Sequence, residues 1–132
     1  MKIAADTNVL VRALTGDDAR QSARAREVLE LAQIVALTLP ALCELVWVLS
    51  QGYKIPAAEI AEAIRRLMNT ATVVVNRPAA EAGLAMLDAG GDFADGVIAY
   101  EGRWLGAELF STFDKKATKL LRERGEKVRL LS

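Results

Sequence analysis

Four acidic residues, Asp6, Glu44, Asp95 and Asp114, are the groups in this sequence best suited to chemistry. Asp6 closes a short apolar run and opens the polar string Asp6-Thr7-Asn8. Glu44 is the only charge among the seventeen residues from Ile34 to Ser50. An ionised carboxylate buried without a partner is strongly disfavoured, so such a residue is paired with a buried arginine, bound to a metal or protonated. Asp95 ends Asp92-Phe93-Ala94-Asp95, and Gly96 after it leaves room for a substrate backbone to approach. Structural explanations stand beside the functional ones: Asp92 and Asp114 as helix caps, and Asp95 as a first-turn acid favoured by the helix dipole.

The sequence contains no histidine. Ser-His-Asp and Cys-His chemistry, histidine general bases and histidine-ligated metals are therefore excluded. Carboxylate, lysine, tyrosine and hydroxyl groups remain, and a carboxylate-only site is what a hard cation such as Mg²⁺ or Mn²⁺ accepts. Ionised carboxylates near 4 Å repel by about 1 to 4 kcal/mol, and a bound cation turns that repulsion into attraction. A site of this kind activates a water and neutralises charge on a transferring phosphoryl group, which suits phosphodiester hydrolysis.

The elements that position these acids alternate between strand and helix. Lys2 to Ala5 reads as a first strand, ending at Asp6, and a helical segment follows it. Asp17 and Asp18 can cap a helix from Ala19 to Leu31, with Ala23, Val28 and Leu31 at helical spacing. Ile34 to Leu37 is a short strand. Pro40 to Leu49 is apolar on every side and predicts a helix buried all round, carrying Glu44. Pro56 opens a helix to Met68 that places Ile60, Ala61, Ile64 and Leu67 on one face. Thr72 to Val75, β-branched throughout, predicts a buried strand. Pro78 opens a helix closed by Gly90-Gly91, and Asp92 caps the next one through Tyr100. Leu109 to Thr112 is a strand, Asp114 opens the helix Lys115 to Arg124, and Val128 to Leu131 is the last strand.

This order predicts an α/β fold with a central parallel β-sheet flanked by α-helices on both faces. Ligands then bind beyond the carboxyl ends of the strands, where Asp6 and Asp114 both fall. If their strands are neighbours, the two acids lie side by side.

A chain of 132 residues fits one domain, residues 1–132, with a core that needs no disulfide. Hydrophobic residues make up 52% and aromatics only 5%, so Ala, Val, Leu and Ile must build the interior. Cys43 stands alone, in keeping with a reducing compartment. The apolar stretch from Ile34 to Ser50 is too short and interrupted to span a bilayer, and no signal peptide opens the chain, so the expected location is cytoplasmic. Charge is uneven: residues 115–132 carry +5 and residues 1–114 carry −5. A solvated terminal helix explains this, and so does a basic flank beside an acidic centre that acts on a polyanion. Arg12, Lys115, Lys116 and Lys119 are the candidates for phosphate contacts.

Four local strings carry a family resemblance. Ile3-Ala4-Ala5-Asp6-Thr7-Asn8-Val9-Leu10, Leu42-Cys43-Glu44-Leu45-Val46-Trp47-Val48-Leu49, Asp92-Phe93-Ala94-Asp95-Gly96-Val97-Ile98-Ala99 and Ser111-Thr112-Phe113-Asp114 occur in the order of the acid motifs of PIN-domain nucleases. The chain resembles in particular the VapC-type toxins of bacterial type II toxin–antitoxin pairs. The resemblance implies a PIN-like three-layer fold. It also implies one or two Mg²⁺ or Mn²⁺ ions held by Asp6 and Asp95 with Glu44 and Asp114, and endonucleolytic cleavage of RNA by metal-activated water. Asn8 and Thr112 would orient waters or ligands, or satisfy turns. A homodimer and a cognate VapB-like antitoxin are implied as well. Gly96 stands where many relatives have alanine.

Two other functions compete. A catalytically silent PIN-like module that only binds partners is disfavoured because all four acids are intact. A phospho-receiver signalling domain needs an acceptor aspartate after a central strand, and Thr72 to Val75 is followed by Asn76-Arg77-Pro78. An aspartyl phosphatase needs a second acid two positions after the first, where Asn8 stands. Trp47, on the most apolar helix, reads as core rather than as a base-stacking platform.

Overall fold

A computed structural model describes residues 1–132. The chain has an α/β fold in which short parallel strands alternate with seven α-helices, as the hydrophobic periodicity predicts. It divides into two compact units, Met1–Arg77 and Pro78–Ser132.

The first unit is built on a three-stranded parallel sheet, β1 (Lys2–Ala4), β2 (Ile34–Leu37) and β3 (Val73–Val75), in that spatial order. Ile3 pairs with Val35, and Ala36 with Val74. Between the strands run α1 (Thr7–Leu14), α2 (Ala19–Leu31), α3 (Leu39–Trp47) and α4 (Ala57–Met68). Asp18 caps α2 by accepting the Gln21 N–H at 3.0 Å, and Thr38 caps α3 by accepting that of Ala41 at 3.3 Å. Leu10, Val35, Leu42, Leu45, Leu49, Ile60, Ile64 and Met68 are fully buried in this unit.

Three expectations change here. First, α3 is not buried all round: Ala41, Leu42, Leu45 and Val46 face inward while Glu44 and Trp47 face solvent. An all-apolar sequence hides which side a helix turns to the core, and α3 covers its unit with one side only. The helix then widens into a π-helical turn, Val48–Gly52, before ending. Second, β3 is an edge strand with Val74 56% exposed, because β2 pairs it on one side only. Third, α2 buries Ser22 and Ala25, while Ala23 and Leu31 are exposed.

The second unit contains α5 (Arg77–Asp88), α6 (Phe93–Trp104), β4 (Phe110–Thr112), α7 (Lys115–Glu123) and β5 (Val128–Leu130). Strands β4 and β5 form a parallel pair, with Ser111 opposite Arg129. Met86, Ala99, Leu121 and Val128 form its core, with Phe110 and Leu120 against them. Gly90, at φ 89°, supplies the left-handed turn that ends α5. Asp6 therefore follows a strand of one sheet and Asp114 a strand of another.

Candidate active site

Asp6 occupies the N-cap of α1, where its backbone oxygen accepts the N–H groups of Val9 at 3.0 Å and Leu10 at 3.3 Å. Its carboxylate makes no capping bond. The contrast with the other cap aspartates is sharp: Asp18, Asp92 and Asp114 each spend a side-chain oxygen on a helix N–H. Capping explains those three carboxylates and leaves that of Asp6 unexplained by its helix. Asn8, one residue into α1, is exposed.

Glu44 is exposed on the outer side of α3. The argument that a buried charge requires a partner therefore does not apply to it, nor does the buried-arginine alternative. Trp47, three residues on and 67% exposed, corrects its reading as core.

The guanidinium of Arg12 is committed within the first unit. It donates to Gln21 Oε1 at 2.7 Å, to Asp17 Oδ1 at 3.2 Å and to the Tyr53 hydroxyl at 3.3 Å. Tyr53 in turn donates to Asp17 Oδ2 at 2.7 Å. The hydrogen bonds from Tyr53 and Thr15 hold the Asp17 carboxyl below the usual aspartate range, with the Arg12 charge assisting. Arg12 is thus a brace between α1, the α1–α2 loop and the segment after α3, which weighs against its use as a phosphate contact. Sequence reading did not single out Tyr53, since no local pattern ties residue 17 to residue 53.

In the second unit Asp95 lies half-buried in the first turn of α6. Burial pushes its carboxyl up to about 6, and the negative charges of Asp92 and Asp114 push in the same direction. Asp92 accepts the Ala94 N–H at 2.9 Å and so caps α6, as expected. Asp114 accepts the Ala117 N–H at 2.9 Å and caps α7, while its own N–H donates to Thr112 Oγ1 at 3.0 Å. Thr112 therefore satisfies a turn. Lys115, Lys116 and Lys119 are all exposed on α7.

Gly96 has a different purpose from the one its sequence suggests. A Cβ there would overlap the carbonyl oxygen of Ala82 and approach Met86 Cγ to 2.9 Å, so the missing side chain lets α6 pack against α5. It is buried and makes no room for substrate.

As donors, all these groups are hard carboxylate oxygens, the kind that Mg²⁺ and Mn²⁺ prefer. The crowding of negative charge around Asp95 is a repulsion that a cation relieves. Within neither unit, however, do three or more such side chains gather closely enough to hold an ion among them.

Residues 3–122 match the model of a protein family described as PIN domain. No curated protein matches the chain.

Proposed function

Because this chain belongs to the PIN-domain family, whose nuclease-type function and α/β architecture it shares, we propose that it is a Mg²⁺- or Mn²⁺-dependent endoribonuclease acting as the toxin of a type II toxin–antitoxin pair. Residues 1–132 act on this reading as one PIN domain. Asp6, Glu44, Asp95 and Asp114 hold the metal, one or two ions, and are the catalytic carboxylates. The observation that carries the reading is the family match over residues 3–122, with the negative charges of Asp92 and Asp114 acting on a half-buried Asp95 beside it.

When bound, the metal supplies a Lewis acid for the phosphoryl oxygens and lowers the pKa of a coordinated water. The protein's own part follows from its side chains. Asp95, its carboxyl raised to about 6, would hold the metal through its carboxylate. Asp6 offers a carboxylate that α1 does not use. Asp114 presents one oxygen while the other caps α7. With no histidine in the chain, proton transfer falls to carboxylate and water. Lys115, Lys116 and Lys119 supply positive charge for RNA phosphates.

The proposed partners are an RNA substrate, a second copy in a homodimer and a VapB-like antitoxin. The proposed location is the cytoplasm; no helix is long and apolar enough to cross a membrane. A second reading, a catalytically silent PIN-like module, is favoured by one observation: neither unit alone gathers three carboxylates around a common point. Incubating purified protein with single-stranded RNA, with Mn²⁺ or with chelator, decides between them. Cleavage that needs Mn²⁺ and vanishes in Asp6→Asn and Asp95→Asn supports the ribonuclease. RNA left intact under all conditions moves the silent module ahead.

A further inference from the structure

Phe113 is 73% exposed, although the other two phenylalanines are taken up by the fold: Phe93 is buried and Phe110 half-buried. The residues on either side of it are nonetheless tied down by hydrogen bonds. On one side, the Thr112 carbonyl accepts the Leu131 N–H at 2.7 Å and Thr112 Oγ1 accepts the Asp114 N–H at 3.0 Å. On the other, Asp114 caps α7 through Ala117 at 2.9 Å, and its carbonyl accepts the Thr118 hydroxyl at 2.9 Å. The phenyl ring is therefore held out to solvent by a pinned turn rather than by a loose loop. Asp114 follows it directly, and the exposed Lys115, Lys116 and Lys119 come next on α7.

An apolar ring with ammonium groups beside it is the combination that binds single-stranded nucleic acid. Bases stack on the ring face, and cations track the phosphates. Bases paired in a duplex have no free face for such a ring, whereas those of loops and ends do. We infer that Phe113 is a base-stacking platform that holds an unpaired RNA base next to Asp114, with Lys115, Lys116 and Lys119 on the adjoining phosphates. The inference rests on the ribonuclease reading and narrows its substrate to unpaired RNA at this site. A protein partner covering the ring is the competing outcome, and the lysine flank favours the polyanion.

The test measures binding of fluorescently labelled oligouridylate, oligoadenylate and a short RNA duplex by anisotropy, without divalent cations so that no cleavage intervenes. Circular dichroism of each variant confirms that it is folded. Phe113→Leu, apolar but ringless, is expected to weaken single-strand binding by about 5- to 150-fold, the range of one base–aromatic stack. Phe113→Trp is expected to restore it, and duplex binding is expected to be indifferent to both. Replacing Lys115, Lys116 and Lys119 with glutamine should flatten the salt dependence by about 0.7 in log–log slope for each lysine that contacts phosphate. Unchanged single-strand binding in Phe113→Leu overturns the inference. So does a loss of self-association in that variant with RNA binding intact, which would make the ring a protein contact. Wild type that binds single strands but never cleaves them with Mn²⁺ sinks the nuclease reading and leaves the platform standing.

Discussion

Tyr53 donates its phenolic hydrogen to Asp17 Oδ2 at 2.7 Å, joining positions 36 apart in the chain, and Arg12 on α1 donates to both partners. The bond favours the ionised form of Asp17, whose folded value lies below that of a free aspartate. A depressed carboxylate contributes stability above its unfolded pKa and loses it as pH falls through the folded one. We expect Tyr53→Phe to lower the urea midpoint near neutral pH and to narrow that deficit in acid. A deficit of equal size at every pH would mean that the hydroxyl matters through packing alone.

Asp95 works in the opposite direction. Its folded value of about 6 lies above the 3.8 of a free aspartate, so between those pH values the folded state holds a proton that the unfolded state has released. The metal-free protein is therefore expected to lose stability from this group as pH rises through that interval. Asp95→Asn, which cannot ionise, should be the more stable protein above it and show no such decline. Denaturant titrations on both sides of the interval check the sign.

Asp114 combines a cap with a charge, and two substitutions separate them. Asparagine caps as well as aspartate, whereas alanine forfeits about 1 kcal/mol. Asp114→Asn is expected to keep the stability of α7, abolish metal-dependent cleavage and bring the Asp95 carboxyl down. Asp114→Ala should lose both stability and activity. Cleavage by Asp114→Asn at the wild-type rate would reduce Asp114 to a cap.

Gly96→Ala puts a methyl group against the backbone carbonyl of Ala82, which cannot rotate away. Overpacking of this kind is expected to destabilise by about 1–3 kcal/mol, outweighing the gain in helix propensity of up to about 1 kcal/mol. A thermal midpoint at or above that of wild type would show that α5 and α6 can part without loss.

Metal binding is open to the same kind of measurement without knowledge of the RNA target. At about 100 times its dissociation constant, Mn²⁺ should add roughly 2.7 kcal/mol to folding. We expect that shift in wild type and its absence in Asp6→Asn and Asp95→Asn. A shift of equal size in all three would place the ion elsewhere.

Much of the fold could be read from local signals. The Asp18, Asp92 and Asp114 caps, the Gly90 turn and the five strands, three of them from their first residue and β3 and β4 from one residue early, follow from residue type and period, which act over a few positions. What could not be read was orientation. Leu42 and Trp47 both belong to an apolar stretch broken only by Glu44, yet one is buried and the other exposed, because only tertiary packing decides which side of α3 faces inward. Gly96 was visible as a glycine, while its purpose depends on Ala82, fourteen positions earlier and on another helix. The four acids stood out as residues. Their individual settings, Asp6 free of its cap, Glu44 in water and Asp95 pressed by two neighbours, needed coordinates.

The edge position of β3 bears on how this protein behaves in concentrated solution. Val73-Val74-Val75 presents a β-branched run with one side unpaired, the template on which strands of other molecules add and aggregates grow. The run stops after three residues because the chain enters α5 at Arg77; Pro78, three positions past Val75, cannot donate to a ladder, and Arg77 brings a charge that aggregation disfavours. A helix that opens on an arginine and a proline just past the strand thus acts as a gatekeeper, keeping the adhesive edge to three residues.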